Sequence, residues 1–97
     1  MSKAGDNLKF WLRNKHKVFQ QLEERGIFGC EIRLDNKCTG GLFTTPAHRH
    51  KRHWYINTPE LLIDLDHVIV ACENCHTKIE PNRVLTEEVF QRLRPIL

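Results

Sequence analysis

Cys72 and Cys75 form a C-x-x-C pair, and Cys30 and Cys38 form a wider pair upstream. Thiolate sulfur is a soft donor, and zinc takes such donors at the four corners of a tetrahedron. A C-x-x-C turn supplies two of them because its backbone amides fold back towards the sulfurs, and a pair at the mouth of a hairpin can supply the other two. The stretch between Cys30 and Cys38 is longer than the roughly two to four residues of a common ligand pair. A thioredoxin-like redox pair at Cys72 and Cys75 would need a βαβ setting that the sequence lacks, and buried free thiols are the bland alternative. Six histidines accompany the cysteines. Imidazole exchanges a proton near neutral pH and ligates metals, so its placement matters. His76 follows Cys75 directly, His67 opens an apolar segment, and His48, His50 and His53 alternate with Arg49, Lys51 and Arg52 in one basic run. His16 and His53 read as ordinary surface or core residues.

A chain of 97 residues is short enough that core burial alone leaves it marginal, and such domains add metals or disulfides. No apolar leader follows Met1, and the longest apolar run, Val68 to Cys72, is too short to span a bilayer. A reducing cytoplasm is therefore expected, and there cysteines point to metal before disulfides. The formal net charge is +3, which by itself identifies no partner. The basic residues are clustered, however, and local density governs attraction to phosphate.

One α+β domain over residues 1–97 is expected, with no repeat or linker. An amphipathic helix over 6–26 carries Leu8, Trp11, Leu12, Val18, Phe19 and Leu22 on one stripe. Asp6 would cap it and Gly26 end it. Lys15 falls inside the stripe and would have to snorkel, while Lys9, Arg13 and Lys17 form a neighbouring stripe that is either a solvated face or a phosphate contact. A metal-stapled core of mixed strands and short helices over 27–82 follows. It comprises a short hairpin over 27–41 turning at Asp35-Asn36-Lys37, a strand from Leu42 to Thr45 broken by Pro46, and a strand from His53 to Asn57. A short helix from Pro59, an apolar strand from His67 to Ala71 and a helix from Glu73 to Glu80 complete it. A last helix, 86–94, would open at Thr86 and close with Arg92 and Arg94 before Pro95.

The segments FTTPAHRHKR (residues 43–52) and CENCHTKIE (residues 72–80) together resemble the HNH endonuclease family in its zinc-stapled form, with the C-x-x-C-H ending. The resemblance covers Cys30 to Pro81, about half of the chain. It implies a ββα unit with a histidine at the end of a strand as general base and a metal-binding histidine on the helix. By position these are His48 and His76. The family's middle asparagine falls here on His67, giving an HHH variant in which His67 would steady the loop bearing the base. Many members carry a metal-binding acid just before the base, where this chain has Ala47. Glu80, four residues after His76 on the same helix face, offers a second ligand, as in the nuclease colicins. His50 is a further candidate, as ligand or as base.

The resemblance thus implies an endonuclease or nickase on DNA, leaving 5′ phosphate ends. Structural Zn²⁺ would sit on Cys30, Cys38, Cys72 and Cys75, and catalytic Mg²⁺, Mn²⁺ or another divalent ion on His76 and Glu80. A histidine of ordinary pKa, ~6.5, can take a proton from water at neutral pH, and a divalent ion stabilises the developing phosphate charge. Arg49, His50, Lys51 and Arg52 would bind the flanking nucleic acid. Short free-standing relatives often belong to phages or mobile elements. Two other readings stay open: a catalytically silent, zinc-stabilised DNA-binding adaptor, favoured by Ala47 and His67, and a thiol switch, which would have no use for His48 or His76.

Overall fold

The computed structural model describes residues 3–41 and 43–96, with backbone alone at 3–5. Leu42, where the first strand was expected to begin, lies outside the described residues. Helix α1 spans Lys3–Glu24. Gly26 ends it as expected: at φ 74° it lets its own N–H reach the Glu23 carbonyl and the Ile27 N–H reach back to Leu22, which satisfies carbonyls the last turn leaves open. Asp6 is not the cap. It lies inside the first turn, where a carboxylate suits the helix dipole. The expected stripe is only half buried. Trp11, Val18 and Leu22 face the core, whereas Leu8, Leu12 and Phe19 are exposed, Leu12 at 53%. The small body beneath the helix covers only a narrow seam of it, so Lys15 stays in solvent without snorkelling.

Two strands make the sheet, β1 over Thr44–His48 and β2 over Val68–Cys72. They pair antiparallel, with Thr44 opposite Cys72 and His48 opposite Val68. β2 is buried throughout, because both of its faces are covered. Val68 and Val70 join Trp11, Val18, Leu22 and Leu62 on the α1 side. Ile69 and Ala71 join Ile79, Val89 and Phe90 on the other, under helices α2 (Glu73–Ile79) and α3 (Arg83–Leu93). An unbroken apolar run of five suits a strand sandwiched in this way.

Several expected elements are corrected. Pro46 lies inside β1 opposite Val70. The Val70 N–H and C=O both turn away from β1, to the Glu31 carboxylate and the Glu31 N–H. Pro46 therefore occupies a non-hydrogen-bonded pair, where its missing N–H leaves nothing unsatisfied. The 27–41 segment turns near Asp35 as expected, with Cys38 N–H bonded to the Asp35 carbonyl, but it forms no strands, and Glu31 completes β2 in their place. The strand expected over His53 to Asn57 is a 3-10 turn, Arg52–Tyr55. Tertiary burial of Tyr55 overrides the β preference of Trp54 and Tyr55. Further 3-10 turns cover Pro59–Ile63 and Leu65–His67. The last helix starts earlier than Thr86: the Asn82 side chain accepts the Leu85 N–H as its cap. Thr86 is buried instead, its hydroxyl donating to the Ile79 carbonyl at 2.6 Å.

Arg49, expected on phosphate, is turned into the core at 2% exposure. It donates to the carbonyls of Asp66 and Arg94 and lies 5.1 Å from the centre of the Phe90 ring. Its Nε stands 3.4 Å from Glu87, an ion pair without hydrogen-bond geometry. Arg94 is likewise buried, paired with Glu31 at 2.8 Å. Arg49→Ala removes a buried body and leaves two carbonyls unpaired, so it should destabilise by about 3 kcal/mol. Thermal unfolding reads this directly, and an unchanged melting temperature would return Arg49 to a surface role.

Candidate functional site

Four sulfurs converge where the 27–41 segment meets the end of β2 and the first turn of α2. The Sγ atoms of Cys30, Cys38, Cys72 and Cys75 all lie within 4.8 Å of one another. All four thiols are free. A tetrahedral ion with metal–sulfur bonds of about 2.3 Å has sulfur–sulfur edges of about 3.8 Å. The Cys38–Cys72 separation is 3.8 Å. The backbone around them is built for thiolates. Leu34 N–H points at Cys75 Sγ, at 3.5 Å, and Gly40, at φ 65°, directs its N–H at Cys38. Burial opposes ionisation of Cys72, but hydrogen bonds from Cys75 and Thr39 bring it down to about 6. Burial, reinforced by the neighbouring sulfurs, pushes Cys75 up to about 12. At Cys38 the Gly40 N–H favours the thiolate, yet burial and the sulfurs of Cys30 and Cys72 raise it overall. Thiolates crowded this closely repel one another unless a cation sits among them, so the donor set fits a divalent metal ion. The loop carrying Cys30 is held from outside by Arg94 on Glu31 and by Arg92 on the Ile32 carbonyl.

Beyond the sulfurs, β1 and α2 open onto a cleft of roughly 180 Å³ lined by His48, His50, His76, Glu80 and Arg83. His48 closes β1 and packs edge-on against Trp11, with ring centres 4.7 Å apart. Its Nε2 lies 2.8 Å from the Leu62 carbonyl. A carbonyl only accepts, so Nε2 carries the proton and Nδ1 keeps the basic lone pair. Burial holds the His48 pKa below the ordinary imidazole range, so the ring is neutral at pH 7.

His76, on α2, is oriented by β1: its Nδ1 lies 2.8 Å from Thr45 Oγ1. Its Nε2 lies 3.5 Å from Glu80 Oε2, across one helical turn. An imidazole steadied at one nitrogen and open towards a carboxylate at the other has the form of a metal ligand with its supporting partner. Among the described residues, no second set of three or more His, Cys, Asp or Glu donors gathers as the cysteines do. Ala47 is buried in the core beside Ile69 and Ile79 and brings no oxygen to the cleft.

His67 stands apart from the cleft. Its Nδ1 is 3.1 Å from the Tyr55 hydroxyl, which in turn accepts the His50 N–H at 3.1 Å, while the His67 carbonyl accepts the Arg49 N–H. Burial raises Tyr55 to about 12 and lowers His67. A protonated phenol donating to a neutral ring satisfies both, and the chain 48–50 is tied down at two points. His50 stacks on Trp54, with centres 4.0 Å apart, and burial lowers its pKa as well. Lys51 and Arg52 are exposed and line the cleft.

Arg83, Thr45 and Tyr55 are the site residues that pattern reading missed. Arg83 donates to the Arg49 carbonyl at 3.2 Å and projects from the first turn of α3 into the same cleft. Its spacing from His76 and Glu80 is helical, but Pro81 between them hides the signal. Thr45 could be found from the strand alternation that puts it on the same face of β1 as Ala47, towards α2.

No described helix is long and apolar enough to cross a membrane. No protein-family model matches the chain, and neither the curated proteins nor the solved structures contain a match. The chain is a small ββα-type domain with a four-cysteine cluster able to hold a metal ion.

Proposed function

We propose that this domain is an HNH-type DNA endonuclease or nickase, with zinc on its four cysteines and a divalent ion such as Mg²⁺ or Mn²⁺ on His76 and Glu80. One observation carries the reading: a single cleft holds the neutral His48, the His76–Glu80 pair and the cations of Lys51, Arg52 and Arg83. When bound, the divalent ion supplies charge stabilisation at the scissile phosphate and the leaving 3′ oxygen. Nδ1 of His48 takes the proton of the attacking water, and the Leu62 carbonyl on Nε2 steadies the imidazolium that results. Lys51, Arg52 and Arg83 hold the flanking phosphates. Thr45 fixes the His76 ring, and His67 steadies the base-bearing chain through Tyr55 and its own carbonyl. Free, mostly buried thiols suit a reducing cytoplasm.

The test is plasmid nicking as a function of added Mn²⁺ after chelator-free desalting. Wild type should nick only with the ion present. Thr45→Val, which keeps a strand-forming residue but frees the His76 ring, should need about 10–100-fold more Mn²⁺ for half-maximal nicking. An unshifted metal curve would remove His76 from the metal site. Ala47 favours a second reading, in which a cleft without an acid at that position binds DNA and leaves it whole. That protein would retain DNA at every metal concentration without nicking it.

A further inference from the structure

Phe43 is the most exposed large apolar side chain described, at 76%. It also has φ 52°, a left-handed conformation that costs any residue with a Cβ and is kept where something else requires it. Its carbonyl accepts the Glu73 N–H at the start of α2, at 3.1 Å, so the backbone that carries the ring is anchored beside the sheet. The ring borders a groove of roughly 400 Å³ whose far wall is His76 and Glu80. Those two residues also line the catalytic cleft, so groove and cleft meet at the proposed metal ligands.

The two hollows differ in charge. The cleft carries Lys51, Arg52 and Arg83. Among the described residues that line it, the groove carries no lysine or arginine, but His76, Glu73 and Glu80 with threonines around Phe43. Phosphates belong in the first and an uncharged, flat group in the second. A nucleotide whose phosphate lies at His76 and Glu80 has its base within reach of that groove, and an aromatic face stacks on any base without reading its sequence. Inside an intact duplex that base is already stacked, and taking it out has a cost that is smallest where pairing is absent.

Resting on the nuclease reading, we propose that Phe43 is the stacking platform for the nucleobase beside the scissile phosphate. The preferred substrate is accordingly DNA that is single-stranded or unpaired at the cut: a fork, flap, bubble or mismatch.

The experiment uses the full zinc-loaded chain with His48→Ala, which binds without cutting, and oligonucleotides carrying 2-aminopurine, whose fluorescence falls on stacking. Adding Phe43→Ala should abolish the quenching and weaken single-strand binding by roughly five- to a hundredfold, while Phe43→Trp restores both. Phe43→Gly should lose the same affinity yet melt about 4–8 °C higher, because it relieves the left-handed strain. That rise separates lost stacking from lost folding. With His48 intact, wild type should cut bubble DNA in preference to duplex, and Phe43→Ala should lose the preference. Quenching, affinity and preference unchanged in Phe43→Ala would overturn the assignment and leave nicking untouched. Failure of the parent protein to nick or bind any DNA would overturn the nuclease reading and this assignment with it.

Discussion

Cys72→Ser is expected to abolish the cooperative thermal transition and to reduce bound zinc from one equivalent per chain towards none. The cluster is part of the core. Cys30, Cys72 and Cys75 are buried among Ile32, Ala71 and Ile79, and the 27–41 segment that carries Cys30 and Cys38 has no strand or helix of its own. A structural zinc site contributes an apparent ~10–16 kcal/mol, against a total stability of about 5–15 kcal/mol for a domain. With zinc on the four cysteines, as proposed, the apo domain would lie at or below the folding threshold. Serine replaces a soft anionic donor with a hard neutral one, in a place where burial already opposes charge. Circular dichroism with zinc quantification reads both effects. A Cys72→Ser protein that melts within a few degrees of wild type, in excess chelator, would show that the apolar core alone holds the fold.

His48→Ala should lower the single-turnover cleavage rate by about 10²- to 10⁴-fold, the usual weight of a positioned proton acceptor, with its zinc content unchanged. The pH dependence in wild type is as diagnostic as the substitution. A base must be neutral to act, and lowering the pH removes it by protonation. Burial moves the His48 pKa below its ordinary value of ~6.5, so the neutral form persists into more acidic solution. The acid limb of the rate profile should lie below pH ~6.5, and the rate should be flat from there to neutrality. The same depressed pKa makes the unfolded chain hold more protons than the folded one between those two values, so stability falls on acidification across that window. An acid limb at or above the ordinary imidazole value would assign the rate-controlling proton to another group, and not to His50, whose pKa burial also lowers.

The chemistry-bearing residues were legible because their spacing is short and local. An apolar run ahead of C-x-x-C-H and Pro81 behind it fix Cys72, Cys75, His76 and Glu80 on one strand end and one helix, whatever the rest of the chain does. The β-branched run Val68 to Val70 declared β2 in the same way. The Cys30–Cys38 pair was legible as a pair, but its hairpin was not. Alternation at Cys30, Ile32 and Leu34 arises from packing beneath α3, while Glu31 satisfies the β2 edge with one carboxylate and one N–H.

Misreadings cluster where tertiary contact overrides a local rule. Arg49 sits in a basic run that looks solvent-facing, yet the Asp66 and Arg94 carbonyls, Glu87 and Phe90 receive it inside. Pro46 looks like a breaker until the register places it in a non-hydrogen-bonded pair. Trp54 and Tyr55 carry β preference but serve a 3-10 turn that hangs Tyr55 beneath His50 and His67. These contacts leave little trace in residue order, because each partner except His50, five positions from Tyr55, lies at least a dozen positions away.

In the proposed function the cleft hydrolyses DNA with His48 as its base and a divalent ion on His76 and Glu80. The most direct measurement is conversion of supercoiled plasmid to open circle by zinc-loaded wild type and His48→Ala, each with and without Mn²⁺. Conversion is expected from wild type with Mn²⁺ only, and background in the other three reactions. Equal conversion by the two proteins, or none by either while both retain the plasmid in a gel, would contradict it and leave a metal-stapled DNA-binding domain.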